Sequence, residues 1–236
     1  MTGEPTGPGP ANESDVDPAN ESDVDPANES DIDPVGRRAV EAMLTAATIQ
    51  TVDYRGELDS TNSRGLAWLR SDLEVANLPR LVMADRQTAG RGRRGRTWQA
   101  GNETLTFTLI APWNFHDARR SKLLSLAVGI GIAEAIEHVM APRRVRLKWP
   151  NDVYVNGAKL AGILIESIAG LNAAVVGVGV NVGPPPGIGS DPHAPRASSI
   201  FEATGQATRR YDWLAPIVER ILASMDQLRR DRRAWR

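Results

Sequence analysis

Gly90-Arg91-Gly92-Arg93-Arg94-Gly95-Arg96 combines bare backbone with guanidinium groups. Fifty-two residues after Arg96 comes Lys148-Trp149-Pro150-Asn151-Asp152, followed by Lys159-Leu160-Ala161-Gly162. Amides unobstructed by side chains and flanked by arginines suit multidentate hydrogen bonding to phosphate or carboxylate oxygens. A lone ammonium at the start of an apolar run, as at Lys159, is more useful to a reacting carboxylate than to a fold. Together the two stretches point to acyl activation by a nucleotide.

Each motif alone has a plainer reading. Gly90, Gly92 and Gly95 match G-x-G-x-x-G, but a dinucleotide fingerprint must open a helix, and Arg96-Thr97-Trp98 runs into a strand. The arginine stretch by itself also fits a solvated loop or a nucleic-acid contact. Trp149-Pro150 fits packing plus a turn, Asn151-Asp152 a turn or cap pair, Asn181 a strand end and Trp98 a core aromatic. Lysine usage raises the weight of Lys148 and Lys159: the chain has three lysines, the other being Lys122, against 25 arginines. Where arginine supplies nearly every cation, two lysines flanking one loop suggest that a compact point charge is wanted there.

The elements that must hold these residues follow from periodicity and caps. The pattern predicts a short helix over Arg38 to Ala47, a strand over Gln50 to Glu57, and a helix capped by Ser60 and running to Arg70. Leu81 to Ala84 reads as a strand ending at the arginine loop. Thr104 to Ile110 alternates threonine with leucine or phenylalanine, which predicts a half-buried strand. A long helix is expected over Ser121 to Met140, with Gly129 and Gly131 admitting close packing. A strand over Arg143 to Trp149 follows. Val153 to Val155, the Asn156-Gly157 turn and Lys159 to Ile168 read as a hairpin, and a turn at Gly170 to Asn172 leads to Ala173 to Val182. Pro184 to Pro195 is expected to be a long loop. Leu214, Ile217, Val218, Ile221, Leu222, Met225 and Leu228 make one apolar stripe on a terminal helix. The expected class is α+β, a mixed sheet with packed helices.

The net charge of −1 conceals a strong asymmetry. Residues 10–17, 18–25 and 26–33 read PANESDVD, PANESDVD and PANESDID. Ten of the 29 acids lie before Arg37, where there is no base, so residues 37–236 carry 19 acids against all 28 bases, a net of +9. Such repeats bury too little to offset their ordering entropy, so residues 1–36 are expected to be a disordered tail and residues 37–236 the folded domain. The chain has no cysteine, and His116, His138 and His193 have no ligand spacing, which argues against a thiolate or all-protein zinc site. No apolar run approaches the roughly 20 residues of a membrane span, and no basic or apolar leader opens the chain, so a cytoplasmic protein is expected.

In order and spacing the motifs resemble those of the biotin protein ligases. They are Asp59-Ser60-Thr61-Asn62, then Gln87 through Trp98, then Lys148 through Asp152, then Lys159 through Glu166, then Gly177-Val178-Gly179-Val180-Asn181-Val182. The resemblance runs over roughly residues 50 to 230. It implies the catalytic fold of class II aminoacyl-tRNA synthetase type shared with lipoate ligases. It also implies that ATP and Mg2+ are used to make biotinyl-adenylate, from which biotin passes to a lysine of a biotin carboxyl carrier domain of a carboxylase.

The same resemblance implies residue roles. Ser60, Thr61, Asn62, Gln87 and Gly162 would surround biotin. Gly90, Arg91 and Arg93 belong to the loop that closes over the carboxylate and the adenylate phosphate. Trp98 is similar to a tryptophan that stacks on adenine. Arg93, Arg94, Arg96, Asn151, Asp152 and Asn181 fall on the nucleotide side, with Asp152 the candidate metal ligand. Lys159 matches the family's essential lysine, and Lys159, Arg91 and Arg93 form the expected catalytic set. Many members carry a winged helix-turn-helix before this domain and most a small β-barrel after it. Here the acidic repeat and the end at Arg236 lead us to expect neither, so no DNA partner is expected, while a homodimer is allowed. A lipoate or octanoate ligase and a basic nucleic-acid-binding module remain the alternatives.

Overall fold

The computed structural model describes residues 32–71, 77–140, 145–184 and 196–230. Its first element, helix α1 (Pro34–Thr45), begins where the third acidic repeat ends: the Asp33 carboxylate accepts from the Val35 amide at 2.8 Å and proline stands in the first turn. Ile32 is buried. The segment from Ile32 to Gly36, assigned from sequence to the tail, is therefore part of the fold, and α1 starts four residues before the expected Arg38. The Asp-Pro pair is the signal for that start. Residues 1–31, where disorder was expected, lie outside the described residues.

Strand β1 (Thr51–Leu58) crosses over through α2 (Thr61–Ser71) to β2 (Arg80–Gln87), which pairs with it in parallel. β3 (Thr104–Pro112) runs antiparallel to β2, and α3 (Ala118–Met140) then carries the chain to the far edge. From there β4 (Arg146–Lys148), β5 (Asp152–Val155), β6 (Ala158–Glu166) and β7 (Ala173–Asn181) meander back until β7 pairs with β3. The sheet order is β1-β2-β3-β7-β6-β5-β4, mixed as expected. The β5–β6 turn is the expected Asn156-Gly157, both at positive φ (51° and 76°), the geometry that suits right-twisted strands. Helices α4 (Ile200–Thr204) and α5 (Leu214–Arg230) complete the described chain.

Alternation divides the sheet into two faces. Leu105, Phe107, Leu109, Val176, Val178 and Val180 point into the large core with Leu124, Ile132 and Ile136 of α3 and Ile217, Ile221 and Met225 of α5. A methyl group on Gly131 would lie 2.7 Å from the Arg220 carbonyl oxygen, so this glycine permits the close crossing of α3 and α5, as expected from its type. The other face is covered at one end by α2, where Leu66 and Leu69 pack on Val82, Ile110 and Val175. Beyond α2 the same face continues through Thr108, Thr106, Gly177, Gly179 and Gly162, a strip of small and polar residues. The fold thus leaves a platform beside the N-terminus of α2.

Several boundaries differ from the expectation for local reasons. α3 begins at Ala118 because the Asp117 carboxylate accepts from the Arg120 amide at 3.1 Å. Of the strand expected over Arg143 to Trp149, only Arg146–Lys148 forms, and residues 143–144 lie outside the described residues. β3 is buried on both faces rather than one. Its threonines meet protein: Thr108 donates to Asn62 Oδ1 at 2.6 Å and Thr106 to the Ala84 carbonyl at 3.4 Å. α4 was not expected, although Ser199 caps it through the Glu202 amide and Gly205 ends it at φ 73°. The long loop expected over Pro184 to Pro195 lies almost wholly outside the described residues. One described helix, α3, is long and apolar enough by composition to cross a membrane, unlike the sequence expectation; half of that stretch is buried inside the fold, where it packs on the sheet and α5.

Candidate active site

Gly162 of β6 and Gly179 of β7 are register partners in the middle of the platform. A methyl group on Gly179 would stand 2.3 Å from Trp98 Cε2 and one on Gly162 3.0 Å from Trp98 Cζ3, so the indole lies directly on glycine backbone. Lys159 comes from the same strand as Gly162, and its ammonium is 5.5 Å from the Trp98 ring centroid and 2.7 Å from Asp152 Oδ1. That carboxylate contact is an ion pair without hydrogen-bond alignment, and Asp152 Oδ1 is buried with no hydrogen-bond partner. Trp98 Nε1 is in the same condition. Two polar atoms with unused hydrogen-bonding capacity beside one ammonium leave room for polar partners from outside the chain.

The backbone of Lys159 is held on both sides. Its amide donates to the Arg196 carbonyl at 2.7 Å and its carbonyl accepts from the Ser198 amide at 2.8 Å. Asn181, at the end of β7, donates from its side-chain amide to the Ser198 carbonyl at 3.0 Å, which fastens that strap to the sheet. Asn151 is similarly committed: its Nδ2 donates to the Ile163 carbonyl at 2.9 Å and its own carbonyl accepts from the Ile163 amide at 3.0 Å. α3 supports this loop from below, where the Ser125 hydroxyl donates to the Pro150 carbonyl at 2.8 Å. Lys148 stands opposite Asp152 in the β4–β5 register, but its ammonium goes to Tyr154, donating to the hydroxyl at 3.3 Å and lying over the ring at 5.0 Å. Trp149 is exposed.

The arginine stretch forms a closed loop. Trp98 N–H donates to the Gly90 carbonyl at 2.9 Å and Gly92 N–H to the Arg96 carbonyl at 2.7 Å, around a tight turn at Arg93–Gly95. Gly90 is required at the base, because a methyl group there would sit 2.4 Å from the Trp98 carbonyl oxygen. Gly95 takes φ 73°, and Arg94 is also left-handed at φ 57°. Some amides expected to stand bare are thus used by the loop itself. Arg91 is paired with Glu166, Arg93 Nη1 lies 3.4 Å from Asn151 Oδ1, and Arg94 and Arg96 are exposed.

At the start of α2, Ser60 Oγ accepts from the Ser63 amide at 3.4 Å, in keeping with the expected cap. The Thr61 amide and hydroxyl both donate to Gln87 Oε1, at 2.8 and 3.2 Å. Asn62 is buried: its Nδ2 donates to the Leu164 carbonyl at 3.2 Å and to Glu166 Oε2 at 3.0 Å. A methyl group on Gly177 would collide with Asn62 Oδ1 at 2.0 Å. The structure therefore gathers Lys159, Asp152, Trp98 and Gly162 at one point, with the arginine loop at its rim and Gln87, held by Thr61, beside the base of that loop at Gly90. Sequence reasoning assigned no role to Thr108, Glu166, Gly177 or Gly179. The period-two glycines of β7 and threonines of β3 were the available signal.

An α+β domain with a glycine-floored platform, a single ammonium over it and an arginine loop at its rim is an anion-accepting fold. The chain belongs to the Biotin/lipoate A/B protein ligase family, whose model matches residues 56–182. It is similar to the biotin–[acetyl-CoA-carboxylase] ligase of Paracoccus denitrificans, 39% identical over 155 residues, 61% of this chain and 63% of that protein. It is also 33% identical over 156 residues to the bifunctional ligase/repressor BirA of Bacillus subtilis, covering 64% of this chain and 46% of that one. Matches to these relatives therefore span about half to under two thirds of their length. Among solved structures, the biotin protein ligase of Aquifex aeolicus in complex with biotin and ATP superposes with a TM-score of 0.60 at 30% identity, over 75% of this chain and 70% of that one.

Proposed function

We propose that the chain performs ATP-dependent biotinylation of a lysine on a carboxyl carrier domain, through biotinyl-5'-AMP. The observation that carries this reading is the Lys159 ammonium, fixed through its backbone and set between Asp152 and the Trp98 ring that lies on the Gly162 and Gly179 backbone. Thr61 holds Gln87 by its Oε1, leaving the Gln87 amide to donate toward a ureido carbonyl, and Ser60, Asn62, Gly90 and Gly162 complete the biotin side. Biotin carboxylate and ATP α-phosphate are both anions. Lys159 draws them together and stabilises the negative charge on the α-phosphoryl oxygens as the carboxylate oxygen bonds to phosphorus and pyrophosphate leaves. In the second step the carrier lysine amine attacks the acyl carbon, AMP departs and the amine proton is released.

Trp98, Asn151, Arg93, Arg94 and Arg96 form the nucleotide side, and Asn181 serves it by holding the strap under Lys159. No cluster of three or more His, Cys, Asp or Glu that could hold a metal occurs among the described residues. The donor set suits Mg2+ carried by nucleotide phosphates, with Asp152 as its protein carboxylate. Pyrophosphate–ATP exchange tests the reading. Exchange that requires biotin supports it; exchange driven by lipoate or octanoate instead would move the chain to the other branch of its family, and salt-sensitive nucleic-acid binding without exchange would refute it.

A further inference from the structure

Of the loop arginines, Arg91 alone meets a carboxylate among the described residues. Its Nη1 donates to Glu166 Oε2 at 3.0 Å and its Nη2 to Oε1 at 2.6 Å, the two-pronged geometry that fixes direction as well as distance. Glu166 is itself held: Asn62 Nδ2 reaches Oε2 at 3.0 Å, and Asn62 is clamped between the Thr108 hydroxyl and the Gly177 backbone. A chain of contacts thus runs from the sheet through Asn62 and Glu166 to the loop. The other side-chain hydrogen bond from the loop to the rest of the fold among the described residues, Arg93 to the neutral Asn151 amide of the β4–β5 turn at 3.4 Å, is much weaker. The side chains of Arg91 and Glu166 are 41% and 22% exposed, so the pair can open without unfolding the core.

We propose that Glu166 is a positioning residue that latches the arginine loop to the sheet through Arg91, and thereby sets how long an activated acyl group is retained. Arg91 then works through Glu166, and Arg93, Arg94 and Arg96, which meet no carboxylate among the described residues, are the guanidinium groups left to meet an incoming anion. This rests on the ligase reading for the acyl group, but the latch itself does not. Charge on Glu166 is needed in two roles at once, as acceptor for Arg91 and for Asn62, so its neutral isostere weakens both.

The test compares wild type, Glu166→Gln, Glu166→Asp and the charge exchange Arg91→Glu with Glu166→Arg. Tryptic cleavage at Arg93 to Arg96 in the free protein reads the latch without any substrate, and the dissociation rate of preformed biotinyl-adenylate reads retention. Glu166→Gln should raise both by about tenfold, with little change in Tm because the pair is partly exposed. Glu166→Asp and the charge exchange should each return cleavage toward wild type. Wild-type cleavage in Glu166→Gln, or no rescue by the exchange, overturns the latch. Faster cleavage with unchanged adenylate dissociation overturns the retention role, and faster cleavage in a protein that makes no adenylate at all removes the ligase reading while the latch stands.

Discussion

Two polar clusters lie on opposite faces of the same sheet, and they differ in whether their hydrogen bonds close. On the α3–α5 face, Asp85 Oδ1 accepts from the hydroxyls of Tyr54 (2.6 Å) and Tyr211 and from Arg210 Nη2 (2.9 Å), and its Oδ2 accepts from the Asp33 amide at 2.9 Å. Arg210 Nη1 adds a bond to the Asp85 carbonyl at 2.8 Å. Both tyrosines are pushed well above the usual phenol range, first by burial and then by the Asp85 carboxylate. On the platform face, Trp98 Nε1 and Asp152 Oδ1 are buried without hydrogen-bond partners, the carboxylate held only by its ion pair with Lys159. A closed network ties α1, the sheet and the segment before α5 together, whereas an open one keeps donors and acceptors for something else.

The sharpest way to break this contrast is to substitute one residue in each cluster. Lys159→Arg keeps the charge but spreads it over a larger planar head, so adenylate formation should fall by at least about 100-fold, the loss typical of one transition-state donor. Its Tm should stay near wild type. Biotin-dependent exchange at wild-type rate would remove Lys159 from the reaction. Asp85→Ala should behave in the opposite sense, since it strands two phenols and a guanidinium: stability should fall by about 2 kcal/mol, measured by urea denaturation, with exchange per folded molecule retained. If Asp85→Ala abolished exchange in protein shown to be folded, the division of labour between the faces would be wrong.

A pH series sharpens the same comparison with a smaller effect. Because the folded state raises the tyrosine pKa values, it favours the protonated phenols; that stabilisation is complete below the ordinary value of about 10 and is lost as pH rises above it. Urea midpoints should therefore decline between about pH 9.5 and 11, and Tyr211→Phe should decline less steeply. Parallel curves for the two proteins would exclude Tyr211 from the alkaline transition. Asp53, on the platform face beneath α2, has the reverse sign. Burial opposes its charge, but hydrogen bonds and charge from Arg55 and Arg64 outweigh that and depress it, so its contribution is present above about pH 4 and lost below.

What sequence made visible divides along the same line. The stripe of α5, the Asn156-Gly157 hairpin and the order of elements follow from local period and turn chemistry, and those expectations held. Lys159 was singled out by its type, and Asp152, Gly162 and Trp98 by the family resemblance of the motifs that carry them; the fold does bring the four together. Contacts across long separations were not visible. Arg91 and Glu166 are 75 residues apart, and Asp85 and Arg210 125 apart, so nothing in either neighbourhood announces the pair. β3 was misread for a related reason: its threonines look solvent-facing until α2 brings Asn62 onto Thr108.

The acidic repeats offer the smallest and most salt-sensitive comparison, between a segment with ten acids and no base and a domain of net charge +9. Their attachment point is Ile32–Asp33, bonded to Asp85, two residues before Gln87 and five before the arginine loop opens at Gly90. A polyanion tethered there would compete with an acidic carrier domain for the basic surface, since tethering raises its effective concentration. The clean deletion is residues 1–31, because Ile32 is buried and Asp33 caps α1. Such a deletion should lower the carrier KM by about two- to threefold at low ionic strength and leave the biotin and ATP constants unchanged, because the effect is one of long-range charge. At 0.15 M salt, where exposed charges are screened beyond about 8 Å, the difference should nearly vanish. A carrier KM unaltered by the deletion at both salt concentrations would leave the repeats no competitive role and confine their charge to keeping the protein in solution.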